Sequence, residues 1–288
     1  MRILLIIAAL LSAYAASAQV PAREDSVPYG NNPQAGHYLD TRGFKLYYET
    51  YGQGEPLLII HGNGGSIDNF VYQIPVFARS YHVIIADSRA QGKSVDPSDT
   101  LSYEMITDDL NALLESLHLD SCYVIGWSDG GIEGLMMAIR HPDKVRKLAV
   151  TGANLWPDTT AVQPWVVGWA LNYNAFVKKT LDTVQNPSKR AQAKNTLKLA
   201  HLLSYEPHIS LEQLHTIQCP VLVIGGDHDV IRPAHTLLIF QNIRKADLWI
   251  LPNSGHSTPI FYKDDFNRVV GDFFKKPYRT ISTFGMFQ

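Results

Sequence analysis

Apolar residues in this chain gather in short continuous runs. Leu57-Leu58-Ile59-Ile60, Val83-Ile84-Ile85-Ala86, Tyr123-Val124-Ile125, Val221-Leu222-Val223-Ile224 and Leu248-Trp249-Ile250-Leu251 are each followed within two residues by Gly, Asp or Asn. Runs this short, without polar alternation, predict strands buried on both faces. Residues 145–150 predict a further such strand. Phe44-Lys45-Leu46-Tyr47-Tyr48-Glu49 alternates instead, which predicts an antiparallel edge strand. Between the runs the period lengthens. Residues 103–117 carry Met105, Leu110, Leu113, Leu114 and Leu117 at helical spacing; residues 132–139 predict a helix stopped by His141-Pro142, and residues 266–274 a C-terminal helix. Strands alternating with helices imply an α/β fold, a mostly parallel sheet with helices on both faces.

The alternation breaks between positions 152 and 219. Trp156, Trp165, Trp169, Tyr173 and Phe176 crowd one stretch, and Arg190, Lys194 and Lys198 follow at four-residue spacing. The aromatics either line an apolar pocket or pack this segment onto the main domain. The basic face is expected to be solvated.

The candidate chemistry lies where strand runs end. Gly126-Trp127-Ser128-Asp129-Gly130-Gly131 follows the run at 123–125 and precedes a helical pattern, the strand-turn-helix context of a G-x-S-x-G nucleophile elbow. A serine hydroxyl needs a neighbouring base and donors for the developing oxyanion. An acid loop, Gly226-Asp227-His228-Asp229, leaves one later strand, and Asn253-Ser254-Gly255-His256 leaves the next. In an open parallel sheet such ends share one rim. The expected roles are Ser128 as nucleophile, His256 as general base and an aspartate orienting the imidazole. Asp227 and Asp229 compete for that last place. The backbone N–H of Asp129 is one candidate oxyanion donor. The glycine-rich His61-Gly62-Asn63-Gly64-Gly65 after the strand at 56–60 offers a second.

Composition narrows the function. The 288 residues carry 25 Lys and Arg against 27 Asp and Glu, a net charge of −2, which argues against nucleic acid or an anionic membrane as partner. No phosphate loop, dinucleotide fingerprint or spaced metal-ligand set is present, so no cofactor and no metal are expected. Arg2, the apolar run at 3–11 and Ala16-Ser17-Ala18 read as a cleavable signal peptide over 1–18, with export to the periplasm or the medium and no membrane span in the mature protein. Residues 19–36, rich in Pro, Asn and Gly, are expected to form a flexible leader.

From about position 37 to 274 the chain resembles the serine-type α/β-hydrolases, and within them Gly126-Trp127-Ser128-Asp129-Gly130-Gly131-Ile132 and Thr151-Gly152-Ala153-Asn154 resemble the valacyclovir hydrolase group, which cleaves α-amino-acid esters. The resemblance implies a hydrolase domain over 37–276, a short helical cap inserted at about 155–215, and a C-terminal tail over 277–288. It implies Asp229 as the triad acid, since Gly226-Asp227-His228-Asp229 followed by Pro233 resembles the family's G-x-x-D…P loop, and Asn63 as the second oxyanion donor. It also implies that Asp129 meets a substrate ammonium; Trp127 and Trp156 are expected beside the substrate. Two departures stand out: the loop at 61–65 differs from that group's, and Ala90 replaces the usual glycine of the Asp87…Ser94 motif. The partner implied is a small ester or amide. The alternatives are a lyase or haloperoxidase-like enzyme on the same triad, a proline iminopeptidase-like peptidase, or a non-catalytic binding protein. The family's strand order further implies two steps of about 4.8 Å between Cys122 and Cys219, beyond the ~7 Å reach of a disulfide, so both thiols are expected to be free.

Overall fold

The computed structural model describes residues 26–281. The expected signal peptide and most of the expected tail lie outside the described residues. Eight strands form one sheet: β1 (Gly36–Thr41), β2 (Phe44–Tyr51), β3 (Glu55–Ile60), β4 (Tyr81–Ala86), β5 (Cys122–Trp127), β6 (Val145–Thr151), β7 (Val221–Gly226) and β8 (Ala246–Leu251). Their spatial order is β1-β2-β4-β3-β5-β6-β7-β8. The β1–β2 and β2–β4 pairs are antiparallel and all others parallel. The longer helices are α1 (Tyr103–Ser116), α2 (Asp129–Arg140), α3 (Pro164–Thr183), α4 (Pro187–Tyr205), α5 (Pro233–Gln241) and α6 (Lys263–Lys275).

The continuous apolar runs are explained by the two core layers they feed. In β3, Leu58 and Ile60 join the cluster under α1 and α2, while Leu57 and Ile59 face the opposite cluster with Phe70, Phe77 and Phe266 of α6. Side chains alternate faces along a strand, and here both faces are covered. With β6 between β5 and β7, Cys122 and Cys219 lie on strands that are not neighbours, and both are free and buried.

Three expectations change. The 44–49 segment is antiparallel but not the edge, because β1 pairs outside it through the Arg42-Gly43 turn, where both residues have positive φ (45° and 87°). β1 is largely exposed and has no apolar alternation, so only its backbone pairing marks it as a strand. The leader is not loose from Val27 onward: Tyr29 and Ala35 are buried. The Glu49 carboxylate accepts from Gly30 N (2.8 Å) and Asn32 N (2.9 Å), and from the Tyr47 and Tyr51 hydroxyls (2.6 and 2.7 Å). Finally, the basic face of α4 is not simply solvated. Lys198 is buried, its Nζ donating to Asp96 Oδ2 (2.7 Å) and Ser98 O (2.9 Å), while Lys194 pairs with Asp99 (2.9 Å). Arg190 donates to Leu181 O and Val184 O at the end of α3. Asp96 is held from its other side by Arg89 (3.0 Å).

The inserted segment between β6 and β7 is therefore a helical cap, α3 packed on α4, that α4 fastens to the loop after β4. Its aromatics divide. Trp165 and Phe176 are exposed, Trp169 stacks on Tyr173 with centroids 5.4 Å apart, and Trp156 packs edge-on against His235 at 4.8 Å. Buried His235 accepts the Leu155 N–H at Nε2 (3.0 Å), fixing the start of the insertion, and burial pushes its pKa down to about 4.

Candidate active site

β5 runs straight into α2, and the turn between them is Ser128 at φ 58° and ψ −121°. A non-glycine residue there costs on the order of 1–3 kcal/mol and persists only where its surroundings over-determine it. Here Ser128 N donates to Thr151 O (2.9 Å), and its carbonyl accepts from Gly131 N (2.8 Å) and Ile132 N (3.1 Å). The flanking glycines are required by close backbone approach: a Cβ on Gly126 would overlap the Gly130 carbonyl, and one on Gly130 would overlap that of Ile60.

Ser128 Oγ lies 2.9 Å from His256 Nε2, and His256 Nδ1 lies 2.7 Å from Asp229 Oδ1. A carboxylate only accepts, so the proton sits on Nδ1 and Nε2 is left to accept from the serine hydroxyl. Asp229 Oδ1 also accepts the Ile231 N–H (3.0 Å); Oδ2 is buried with no partner among the described residues. Burial pulls the His256 pKa down, but the charge and hydrogen bond of Asp229, helped by the charge of Asp129, outweigh it, and the net shift is upward. Gly152, at φ 65°, leaves room for the imidazole, which a Cβ there would strike.

The two aspartates of the acid loop have separate partners. Asp227 accepts from Asn253 N (2.9 Å), Ser254 N (3.0 Å) and the His228 ring (2.7 Å), and these hydrogen bonds, that of His228 foremost, hold its pKa down at about 2. It clips the turn that presents His256. Only Asp229 reaches the imidazole.

The loop after β3 lies against the nucleophile, a Cβ on Gly62 falling 3.0 Å from Ser128 Cβ. Buried His61 holds the loop: its Nδ1–H donates to Gly62 O (2.8 Å) and its Nε2 accepts the Ser88 N–H (3.0 Å). Gly64 N donates to Gln91 Oε1 (2.6 Å). Among the described residues no protein group accepts the backbone N–H of Asn63 or Asp129, so both remain available to an oxyanion.

Asp129 and the two tryptophans each have partners within the chain. The Asp129 side chain is buried, accepting from Asn63 Nδ2 at 2.8 Å. Burial pushes its pKa up to about 6 against that hydrogen bond. Trp127 donates its indole N–H to His256 O (2.9 Å) and packs on Phe70, so it supports the base from behind. Trp156 donates to Thr160 Oγ1 and belongs to the junction between cap and sheet. Sequence reasoning missed Glu133, which lies one turn beyond Asp129 on α2. It is fully buried with neither oxygen hydrogen-bonded, and burial raises its pKa well above the usual carboxyl range. Nothing in the local pattern marks it, since an exposed helix also uses glutamate. Among the described residues no cluster of three or more His, Cys, Asp or Glu side chains is placed to hold a metal ion.

Comparison with known proteins agrees with this architecture. The α/β hydrolase fold family matches residues 55–187. Serine hydrolase BPHL of Mus musculus is 27% identical over 286 residues, covering 92% of this chain and 94% of the relative. The 2-hydroxymuconate semialdehyde hydrolase of Pseudomonas sp. (strain CF600) is 26% identical, covering 84% of this chain and 95% of that one. Among solved structures, MGS-M2, an α/β hydrolase from a Medee basin deep-sea metagenome library, superposes with a TM-score of 0.74 at 19% identity, over 85% of this chain and 99% of that one. With its parallel sheet, elbow and inserted cap, the chain has the α/β-hydrolase fold, and its sequence is similar to named hydrolases, serine hydrolase BPHL among them.

Proposed function

We propose that this chain is a serine hydrolase that cleaves a small carboxylic ester or amide through an acyl-enzyme on Ser128. The observation that carries the reading is the continuous hydrogen-bond chain Ser128–His256–Asp229, 2.9 and 2.7 Å long, anchored on a strained elbow. Ser128 Oγ attacks the substrate carbonyl as His256 Nε2 takes the hydroxyl proton. The backbone N–H groups of Asn63 and Asp129 receive the oxyanion, each such donor contributing about 3–4 kcal/mol at the transition state. The tetrahedral intermediate collapses, His256 protonates the departing alcohol or amine, and the acyl group stays on Ser128. Water then attacks the acyl-enzyme with His256 again as base, releasing the acid and restoring Ser128. Asp229 keeps the imidazole in the Nδ1–H tautomer and steadies the imidazolium in both halves.

Fluorophosphonate labelling tests this directly. Wild-type protein is expected to label on Ser128 and lose the label in Ser128→Ala; an unlabelled wild type would refute the mechanism. Export is part of the same proposal, supported by the apolar run at 3–11 and Ala16-Ser17-Ala18, and the processed protein is expected to begin at Gln19.

A further inference from the structure

The Asp129 carboxylate, 3% exposed, sits at the first turn of α2 beside the nucleophile. A buried carboxylate must be met by donors. This chain supplies one itself, Asn63 Nδ2 at 2.8 Å from Oδ2. The same Nδ2 donates to Leu199 O of α4 at 3.2 Å, so both hydrogens of the amide are committed. Its orientation follows from chemistry alone. A carboxylate and a carbonyl only accept, so the NH₂ of Asn63 must face them. Asn63 Nδ2 thus occupies the position at Oδ2 that a cationic nitrogen of a substrate would need. An incoming ammonium would have to expel the amide from both of its acceptors, Asp129 Oδ2 and Leu199 O.

We infer that the Asn63 side chain stands in for a substrate cation at Asp129, so that the acyl group accepted here is uncharged next to its carbonyl, an alkanoyl or aroyl group rather than an α-aminoacyl one. The inference rests on the serine-hydrolase reading above and names its substrate class. It makes Asn63 a specificity-determining residue through its side chain, separate from the backbone N–H it offers the oxyanion.

Benzyl L-valinate and benzyl 3-methylbutanoate share one skeleton and differ only in the α-ammonium. Wild type is expected to favour the 3-methylbutanoate in kcat/KM by about tenfold or more, the scale on which a site with its polar groups already paired discriminates. Asn63→Ala keeps the backbone N–H and removes the amide; it is expected to move the ratio toward the valinate by about tenfold, with Asn63→Ser moving it the same way. Adding Asp129→Asn to Asn63→Ala is expected to erase that gain, which a merely structural role for Asn63 does not predict. A wild type that prefers the valinate, or Asn63 variants whose ratio stays within about twofold of wild type, overturns the inference while fluorophosphonate labelling leaves the serine mechanism standing. Absence of both labelling and turnover removes the serine mechanism and this inference with it.

Discussion

Asp229→Asn removes one charge from the site with little change of shape, and the structure dictates how the new side chain sits. Oδ1 accepts both His256 Nδ1–H (2.7 Å) and Ile231 N–H (3.0 Å), so the amide oxygen must stay there and the NH₂ must take the place of Oδ2. The imidazole tautomer therefore survives, but the imidazolium formed at the transition state loses its counter-charge. The NH₂ also lands where Oδ2 has no partner among the described residues, an orphaned donor that costs about 1–3 kcal/mol of stability. Replacing the carboxylate at this position in a serine triad by an amide typically lowers kcat about 10⁴-fold, equivalent to about 5.5 kcal/mol of barrier. Asp227→Asn is the control. It weakens the clip on Asn253 and Ser254 and leaves the imidazole's partner in place. Its kcat is expected to fall by no more than about tenfold. Steady-state kinetics on an activated ester, with thermal melts to show that both variants are folded at the assay temperature, separate the two. An Asp227→Asn enzyme as damaged as Asp229→Asn would refute the assignment of the two carboxylates.

Three further outcomes follow from the same geometry. The acid limb of kcat/KM is expected to lie above the ordinary histidine value, because His256 must be neutral to accept the serine proton and its pKa is raised; activity is lost as pH falls through that raised value. Removing a raising charge by Asp129→Asn should move the limb to lower pH, and a pH–rate profile that stays put would refute the coupling. Ala90 has φ 67° and its N–H bonded to Ser94 O (2.9 Å), so Ala90→Gly relieves left-handed strain and should raise stability by about 1 kcal/mol in chemical denaturation, a lower midpoint being the contrary result. Alkylation of denatured, unreduced protein should add two groups, at Cys122 and Cys219, whose buried thiols are pushed up to about 12 and about 11 and are inert in the native state; an intact mass without them would mean a disulfide.

Much of the architecture was written locally. A strand buried on both faces has to be a continuous apolar run, and the runs in β3, β4, β5 and β7 are legible for that reason, whereas β8, at the edge of the sheet, has an apolar run but is only half-buried. The elbow is legible because close approach of backbones around Ser128 demands glycine at 126 and 130, leaving a trace in residue type. What the sequence did not show is which distant groups meet. β1 has no burial pattern to betray it and exists by backbone pairing with β2. The cations of α4 show as a stripe, but Asp96, the carboxylate that buries Lys198, lies 102 residues away. The Glu49 clip on the leader likewise joins groups 17 and 19 residues apart.

The choice between Asp227 and Asp229 shows where the division falls. Sequence alone determined that an acid loop follows one strand and a histidine the next, because strand ends and loop composition are local properties. Two aspartates two positions apart are equivalent at that level. Tertiary structure separated them, since the direction of each carboxylate depends on where β8 and its following turn lie against β7. It also decided the role of Asn63, whose amide meets Asp129 across 66 residues and the cap across 136. Burial and backbone strain are recorded residue by residue along a chain; the pairing of polar groups is settled only when the fold brings their elements together.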